Sequence, residues 1–134
     1  MLFDADLLTY RGIYKTIKTD KLNIPTCDGR RTILSNHMPI MIPLIDGLIE
    51  TNENGELCHY AISDGMLYFE DNKAKIICDV IEDIKSVDVK IYEKKLEEAK
   101  HKLENANDDI EIKKATVKIT RANTIINAVK GKIK

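Results

Sequence analysis

Residues 46–78 read DGLIETNENGELCHYAISDGMLYFEDNKAKIIC. Three Asx-Gly pairs punctuate the stretch, Asp46-Gly47, Asn54-Gly55 and Asp64-Gly65. Such pairs accept the positive φ that tight hairpins need. Between and beyond them lie short runs that alternate, or that are rich in β-branched and aromatic residues: Leu57 to Ile62, Met66 to Phe69, and Lys75 to Cys78. Turn signals about 8–12 residues apart around such runs predict an all-β sandwich or barrel. The pattern extends toward the N-terminus through Leu2 to Leu8, Gly12 to Ile17 and Leu22 to Cys27, followed by the pair Asp28-Gly29.

Helical periodicity starts abruptly at about residue 87. Val89, Tyr92, Leu96, Ala99, Leu103 and Ala106 recur at alternating steps of three and four, one apolar seam on a helix. Asp88 is the expected N-cap. Asn105 to Asp109 interrupt the pattern, and Asp108 stands three residues before Glu111 as in a capping box. A second seam follows: Ile112, Ala115, Ile119, Ala122, Ile126, Val129 and Ile133. Two such seams joined by a short turn predict an antiparallel helical hairpin. Helices of ~18–20 residues would span roughly 27–30 Å. Narrow, alanine-containing seams bury little area, so the hairpin is expected to lean on another surface and to act as a two-state element where surfaces compete. The boundaries read from the sequence are 1–86 for the β domain and 87–134 for the hairpin.

The 134 residues suit one ordinary domain or a small one with an appendage. Hydrophobic residues make up 43%, too many for a disordered chain. No apolar run approaches the ~20 residues a membrane helix needs, and Met1-Leu2-Phe3-Asp4 lacks a basic n-region, so no signal peptide is expected. Cys27, Cys58 and Cys78 are widely separated, with no CxxC, and are expected as free, buried thiols. The net charge of −1 argues against a globally basic nucleic-acid binder, but the distribution is uneven. Residues 1–87 hold 14 acids and 9 bases, whereas residues 110–134 hold one acid and 7 bases. A basic terminal segment implies an acidic partner or a solvated face. No phosphate loop, G-x-S-x-G, H-E-x-x-H or Cys/His pair at usable spacing is present in the sequence, so no catalytic or metal site is expected.

The segment Gly29-Arg30-Arg31-Thr32-Ile33-Leu34-Ser35-Asn36-His37-Met38-Pro39-Ile40-Met41 resembles the ε-subunit family of F-type ATP synthases, whose pattern there is roughly G-x-x-G-I-L-x-x-H-x-P-L-L. Thr32 replaces the second Gly, while Ile33, Leu34, His37 and Pro39 match. Pro43-Leu44-x-x-Gly47 is similar to the family's P-L-x-x-G. Ala61 to Leu67 is similar to its strand-turn segment ending S-G-G-F-L, and Ile76-Ile77-Cys78-Asp79 to its strand I-L-A-D. Asp108-Asp109-Ile110 and Arg121-Ala122-Asn123 fall where its second helix begins and continues. The resemblance is colinear over most of the chain.

The resemblance implies a sandwich of about ten strands followed by a hairpin, in a non-catalytic rotor subunit on the cytoplasmic face of the cell membrane. Its implied partners are the γ subunit, the c-ring and the α/β hexamer, with membrane association only through the complex and no nucleic acid. Arg30, Arg31 and His37 are placed toward the c-ring, and Met41 and Ile42 toward γ. Lys113, Lys114, Lys118 and Arg121 are placed toward an acidic loop of the catalytic β subunit, where the extended hairpin restrains hydrolysis. Many relatives bind ATP through I/L-D-x-x-R-A; here Val87 to Tyr92 keeps Asp88 but sets Ile91 at the Arg and Tyr92 at the Ala. Glu82 and Arg121 are kept, and Ile125 stands at the next basic position. A weak nucleotide site would use Glu82, Asp88 and Arg121, but losing guanidinium forks disfavours ATP, and no cofactor is expected. The alternative is a small adaptor whose basic helix binds an acidic partner or nucleic acid, a reading weakened by the lack of aromatics among those bases.

Overall fold

The computed structural model describes residues 1–130. The chain divides into two compact units, Met1–Asp83 and a second beginning at Ile84.

The first unit has ten strands: β1 (Phe3–Thr9), β2 (Gly12–Thr19), β3 (Lys21–Thr26), β4 (Gly29–Leu34), β5 (Ile40–Leu44), β6 (Gly47–Glu53), β7 (Glu56–Ile62), β8 (Gly65–Glu70), β9 (Lys73–Cys78) and β10 (Ile81–Asp83). They form two five-stranded sheets, ordered β2-β1-β9-β8-β5 and β10-β7-β6-β3-β4. Only β1 and β9 pair in parallel. This is the expected sandwich. Alternation decides what goes inside: β9 buries Ala74, Ile76 and Cys78 and exposes Lys73, Lys75 and Ile77. Phe3, Leu7, Ile42, Leu67 and Ile76 of the first sheet share one core with Leu22, Ile24, Ile49, Tyr60 and Ile62 of the second. Each large apolar side chain buried there contributes about 1.5–3 kcal/mol.

Two of the Asx-Gly turns differ from expectation. Asn54 and Gly55 both have positive φ, as a two-residue hairpin demands. Gly47 and Gly65 do not; each starts a strand and is needed for close approach. A Cβ on Gly65 would collide with the Ile77 carbonyl and lie 2.8 Å from Cys78 Sγ, and one on Gly47 would lie 3.1 Å from Pro25 Cβ. The β8–β9 turn is made instead by Asp71 and Asn72, both at positive φ without any glycine. Cys58 and Cys78 are buried thiols, but Cys27 is exposed, because it sits in the β3–β4 turn.

The second unit begins with a 3-10 turn (Ile84–Ser86), followed by α1 (Val89–Glu104) and α2 (Asp109–Val129). Asp88 caps α1, its side chain accepting from Lys90 N at 3.0 Å. Asp108 caps α2 through Glu111 N at 2.8 Å. Glu111 reaches back one residue further than in the usual box, accepting from Asn107 N at 2.9 Å. Lys130 Nζ meets Glu93 at 3.5 Å, so the end of α2 lies beside the start of α1. Tyr92, Ala99, Ala115, Ala122 and Ile126 of the expected seams are buried, and Leu103 and Ile112 are exposed. Ile125, outside the seam, is fully buried; Ile133 lies outside the described residues.

Gly65→Ala should destabilise the chain by about 2 kcal/mol or more, since the clash is with backbone. Gly55→Ala should cost about 1 kcal/mol, from conformation alone. Urea denaturation of both variants checks the order.

Candidate interaction faces

The outer face of the β2-β1-β9-β8-β5 sheet is divided by register. One row crosses all five strands as Pro43, Met66, Ile77, Leu8 and Ile13, apolar from edge to edge. Ile13 is 66% exposed, and in the adjoining row Met41 is 60% exposed beside Tyr68. The other half of the face is charged. Tyr68 stands opposite Lys75, Lys75 opposite Asp6, and Asp6 opposite Thr16. Asp6 is only 9% exposed although it faces outward; its carboxylate accepts from Thr16 Oγ1 at 2.9 Å and pairs with Lys73 Nζ at 3.3 Å. The apolar residues of this row are contiguous from strand to strand, unlike singly scattered surface apolar groups.

Met41 and Ile42, both expected at an interface, part company here. Met41 projects outward, whereas Ile42 is buried in the core and offers no surface to a partner.

Arg30, Arg31 and His37 stand in three different local settings. Arg30 lies over the outer face of the other sheet, where its guanidinium donates to the Leu48 carbonyl at 2.7 Å, the Asn23 carbonyl at 3.2 Å and the Asn23 side chain. It thereby straps β4, β3 and β6 together, an internal role the sequence did not signal. Desolvation pulls its pKa down and the Glu50 charge opposes the fall; a guanidinium stays a cation throughout. Arg31 is exposed on the edge strand β4. His37 packs its ring edge-on against Phe69 at 6.1 Å and donates from Nδ1 to the Met38 carbonyl at 2.7 Å. Its loop is fixed by Asn72, whose side-chain oxygen accepts from Asn36 N at 2.7 Å and Ser35 Oγ at 3.2 Å. Beside it, Leu34 and Met38 are exposed apolar groups at this end of the sandwich.

Glu50 is the hub of a polar cluster on the same outer face as Arg30. It pairs with Lys21 Nζ at 3.1 Å and His59 Nε2 at 3.2 Å. Burial alone would raise its pKa, but the bonds and charges of Lys21 and His59 outweigh burial and hold it below its ordinary 4.5.

In the second unit, Lys113, Lys114 and Lys118 are exposed on α2, with Arg121 half-buried one turn on. Among them Ile110 and Val117, two turns apart, are 66% and 54% exposed. Lys102, Asn105, Glu111, Lys114 and Lys118 line a shallow groove of about 360 Å³ between the helices, three cations against one acid.

Of the residues considered for a nucleotide, Glu82 lies on β10 of the first unit, Asp88 is engaged as the cap of α1, and Arg121 sits in the middle of α2. Ile91 is exposed, and Tyr92 and Ile125 are buried apolar groups. No cluster of acid, His and Cys side chains that could hold a metal occurs among the described residues.

Comparison with known proteins follows the same division. The family model described as ATP synthase, Delta/Epsilon chain, beta-sandwich domain matches residues 3–84. An ATP synthase epsilon chain of Hydrogenobaculum sp. is 31% identical, over 96% of this chain and 94% of that one. One from Lactobacillus helveticus is 28% identical over 98% and 94%. Among solved structures, a chain of the Euglena gracilis mitochondrial ATP synthase (OSCP/F1/c-ring) superimposes with a TM-score of 0.80 at 20% identity, covering 96% of this chain and 81% of that one. A chain of the Tetrahymena thermophila mitochondrial ATP synthase central stalk and c-ring does so at 0.65 and 15%, covering 94% and 95%. These two establish likeness of fold.

Because Glu50 is depressed, its contribution exists above 4.5 and fades as pH falls through its lower folded value. Glu50→Gln should cost about 0.5–1 kcal/mol at neutral pH, and the gap from wild type should narrow progressively as pH falls below 4.5. Urea midpoints across that range measure it.

Proposed function

The chain belongs to the ATP synthase delta/epsilon family, and from that premise we propose how its two units serve the enzyme. It is a non-catalytic subunit of the central stalk of an F-type ATP synthase. The sandwich is the fixed part. Its outer apolar row, Pro43-Met66-Ile77-Leu8-Ile13 with Met41 and Tyr68, is the face that docks on γ, and this row is the single observation that carries the reading. A stalk must hold under torque, and dry apolar burial with a charged border gives both adhesion and register. The end bearing His37, Leu34 and Met38 is the side turned to the c-ring, with Arg31 on the adjoining edge strand.

The hairpin is the movable part. Lys113, Lys114 and Lys118 with Ile110 and Val117 form a cationic, partly apolar stripe suited to an acidic segment of the α/β hexamer. Binding there restrains ATP hydrolysis. The subunit is peripheral, held at the cytoplasmic face of the cell membrane by its complex; no described helix is long and apolar enough to cross a membrane.

ATP is not a ligand in this reading. Triphosphate binding needs cations or amide groups to offset desolvation, and the positions that would supply guanidinium groups hold Ile91 and Ile125. Calorimetric titration of the full chain with MgATP should give no saturable heat; a clear binding isotherm overturns this point.

Ile77→Glu should weaken binding to the native γ subunit more than tenfold, because a charge would be buried in the contact. Lys113→Glu with Lys118→Glu should leave γ binding unchanged and raise ATP hydrolysis of the reconstituted complex. Unchanged γ affinity for Ile77→Glu sinks the docking face, and unchanged hydrolysis for the lysine variant sinks the regulatory stripe.

A further inference from the structure

The two helices of the second unit meet along a groove whose walls come from both. On α2, Glu111, Lys114, Ala115 and Lys118 fall at steps of three, one and three, so they share one face of the helix. On α1, Lys102 and Asn105 stand three apart at the turn end and line the other wall. Ala115 is buried and small, so it makes a floor rather than filling the space. The groove holds about 360 Å³, at the small end of ligand sites.

The charges in this groove are not settled within the chain. Glu111 is occupied at the turn, its carboxylate accepting from Asn107 N at 2.9 Å. Asn105 folds back on its own helix, its side-chain amide donating to the His101 carbonyl at 3.0 Å. Lys102, Lys114 and Lys118 are all exposed, and among the described residues none of them has an ion-pair partner. The end of α1 accounts for part of one charge, because Lys102 lies in its last turn, where the helix dipole favours a cation. Lys114 and Lys118 stand in the second and third turns of α2, beyond the reach of a helix end. Three ammonium groups around one space repel one another, and an anion that reaches them together relieves that repulsion. Ile110 and Val117 stand four before and three after Lys114, so they rim the groove with apolar surface, 66% and 54% exposed. A bare phosphate would use the charges and leave that rim wet. A peptide with carboxylates beside an apolar side chain uses both.

We propose that this groove clasps an acidic peptide segment between the two helices, with Lys102 of α1 as an anchor alongside Lys114 and Lys118 of α2. The site exists only while α1 and α2 are paired. Binding and pairing are therefore linked: the segment tightens the hairpin, and separating the helices releases the segment. This deepens the regulatory reading and rests on it only for the source of the segment in the α/β hexamer. In that setting the held hairpin is the closed one, and a hairpin splayed at its turn loses its hold.

The test uses the full chain and a short capped peptide of four glutamates around one leucine, in about 0.1 M salt, where charges act over about 10 Å. Lys102→Gln should weaken binding about two- to fivefold, the size of one surface ion pair. Lys100→Gln removes the same charge from α1 outside the groove and should leave the affinity nearly unchanged. The peptide should slow amide exchange in the last turn of α1, from His101 to Glu104, as well as on α2 from Asp109 to Lys118. Equal losses in the Lys100 and Lys102 variants overturn the clasp, as does protection confined to α2 or displacement of the peptide by an equal concentration of inorganic phosphate. In the reconstituted complex, Lys102→Gln should raise ATP hydrolysis in the same direction as Lys113→Glu with Lys118→Glu. A response to the α2 pair alone overturns the clasp and leaves the regulatory stripe. Peptide binding through Lys102 with hydrolysis unmoved by all of these variants sinks the regulatory reading and leaves the clasp standing.

Discussion

The sandwich depends on one constraint: each sheet buries a single face against the other, so alternate residues of nearly every strand are spoken for. With no Trp and two Phe, the core is filled mainly by isoleucine and leucine around Phe3, Phe69 and Tyr60. The two phenylalanines meet edge to face at 5.3 Å, an arrangement that adds about 0.5–1.5 kcal/mol beyond area. Close approach of chain to chain then becomes the limiting geometry, which is why Gly65 sits against the Ile77 carbonyl and Gly47 against Pro25. Everything available for contact with another molecule is left on the outward faces, the ends and the helices.

Those outward faces are not equivalent. On the β4-β3-β6 side the polar groups serve the fold: Arg30 ties three strands, and Glu50 gathers Lys21 and His59. On the opposite sheet the apolar row has no such internal duty. Its charged neighbours are already satisfied, Asp6 by Thr16 and Lys73. A carboxylate compensated inside its own subunit would add no unpaired charge were a partner to cover the apolar row beside it, and would cost less to bury than a lone charge.

The change of period near residue 87 made the two-part architecture legible, and both helix caps were readable from Asp88 and Asp108. What escaped the sequence did so for specific reasons. Met41 and Ile42 are adjacent and similar, but strand alternation sends one out and one in, and register is not written in either residue. Nothing in the sequence marks the strapping role of Arg30, because its partners, Asn23 and Leu48, come from two other strands. The heptad steps found the alanines of α2 and missed Ile125, since its buried face is wider than a strict seam. The Asp71-Asn72 turn carried no glycine, and the bulge at Tyr14, where Leu7 pairs with Lys15 and Leu8 with Ile13, carried no signal at all, being fixed by pairing with β1.

On the proposed regulatory role, the energetics of the α2 stripe set what kind of partner it would need. Three exposed lysines contribute about 0.2–1 kcal/mol each when paired at a surface, at most about 3 kcal/mol together. Reversing a two-state population from 1:99 to 99:1 takes about 5.5 kcal/mol of differential affinity. Charge alone therefore falls short, and a purely acidic, solvated loop would bind the hairpin without holding it. Ile110 and Val117 supply the difference: each buries about 1.5–3 kcal/mol of side chain when fully covered, and somewhat over half of each is still exposed. An acidic partner that also offers an apolar groove reaches the required total at the upper end of both ranges, whereas one lacking either feature falls short even there. It follows that salt, which screens the lysine pairs and leaves apolar burial intact, should weaken the held state without abolishing it.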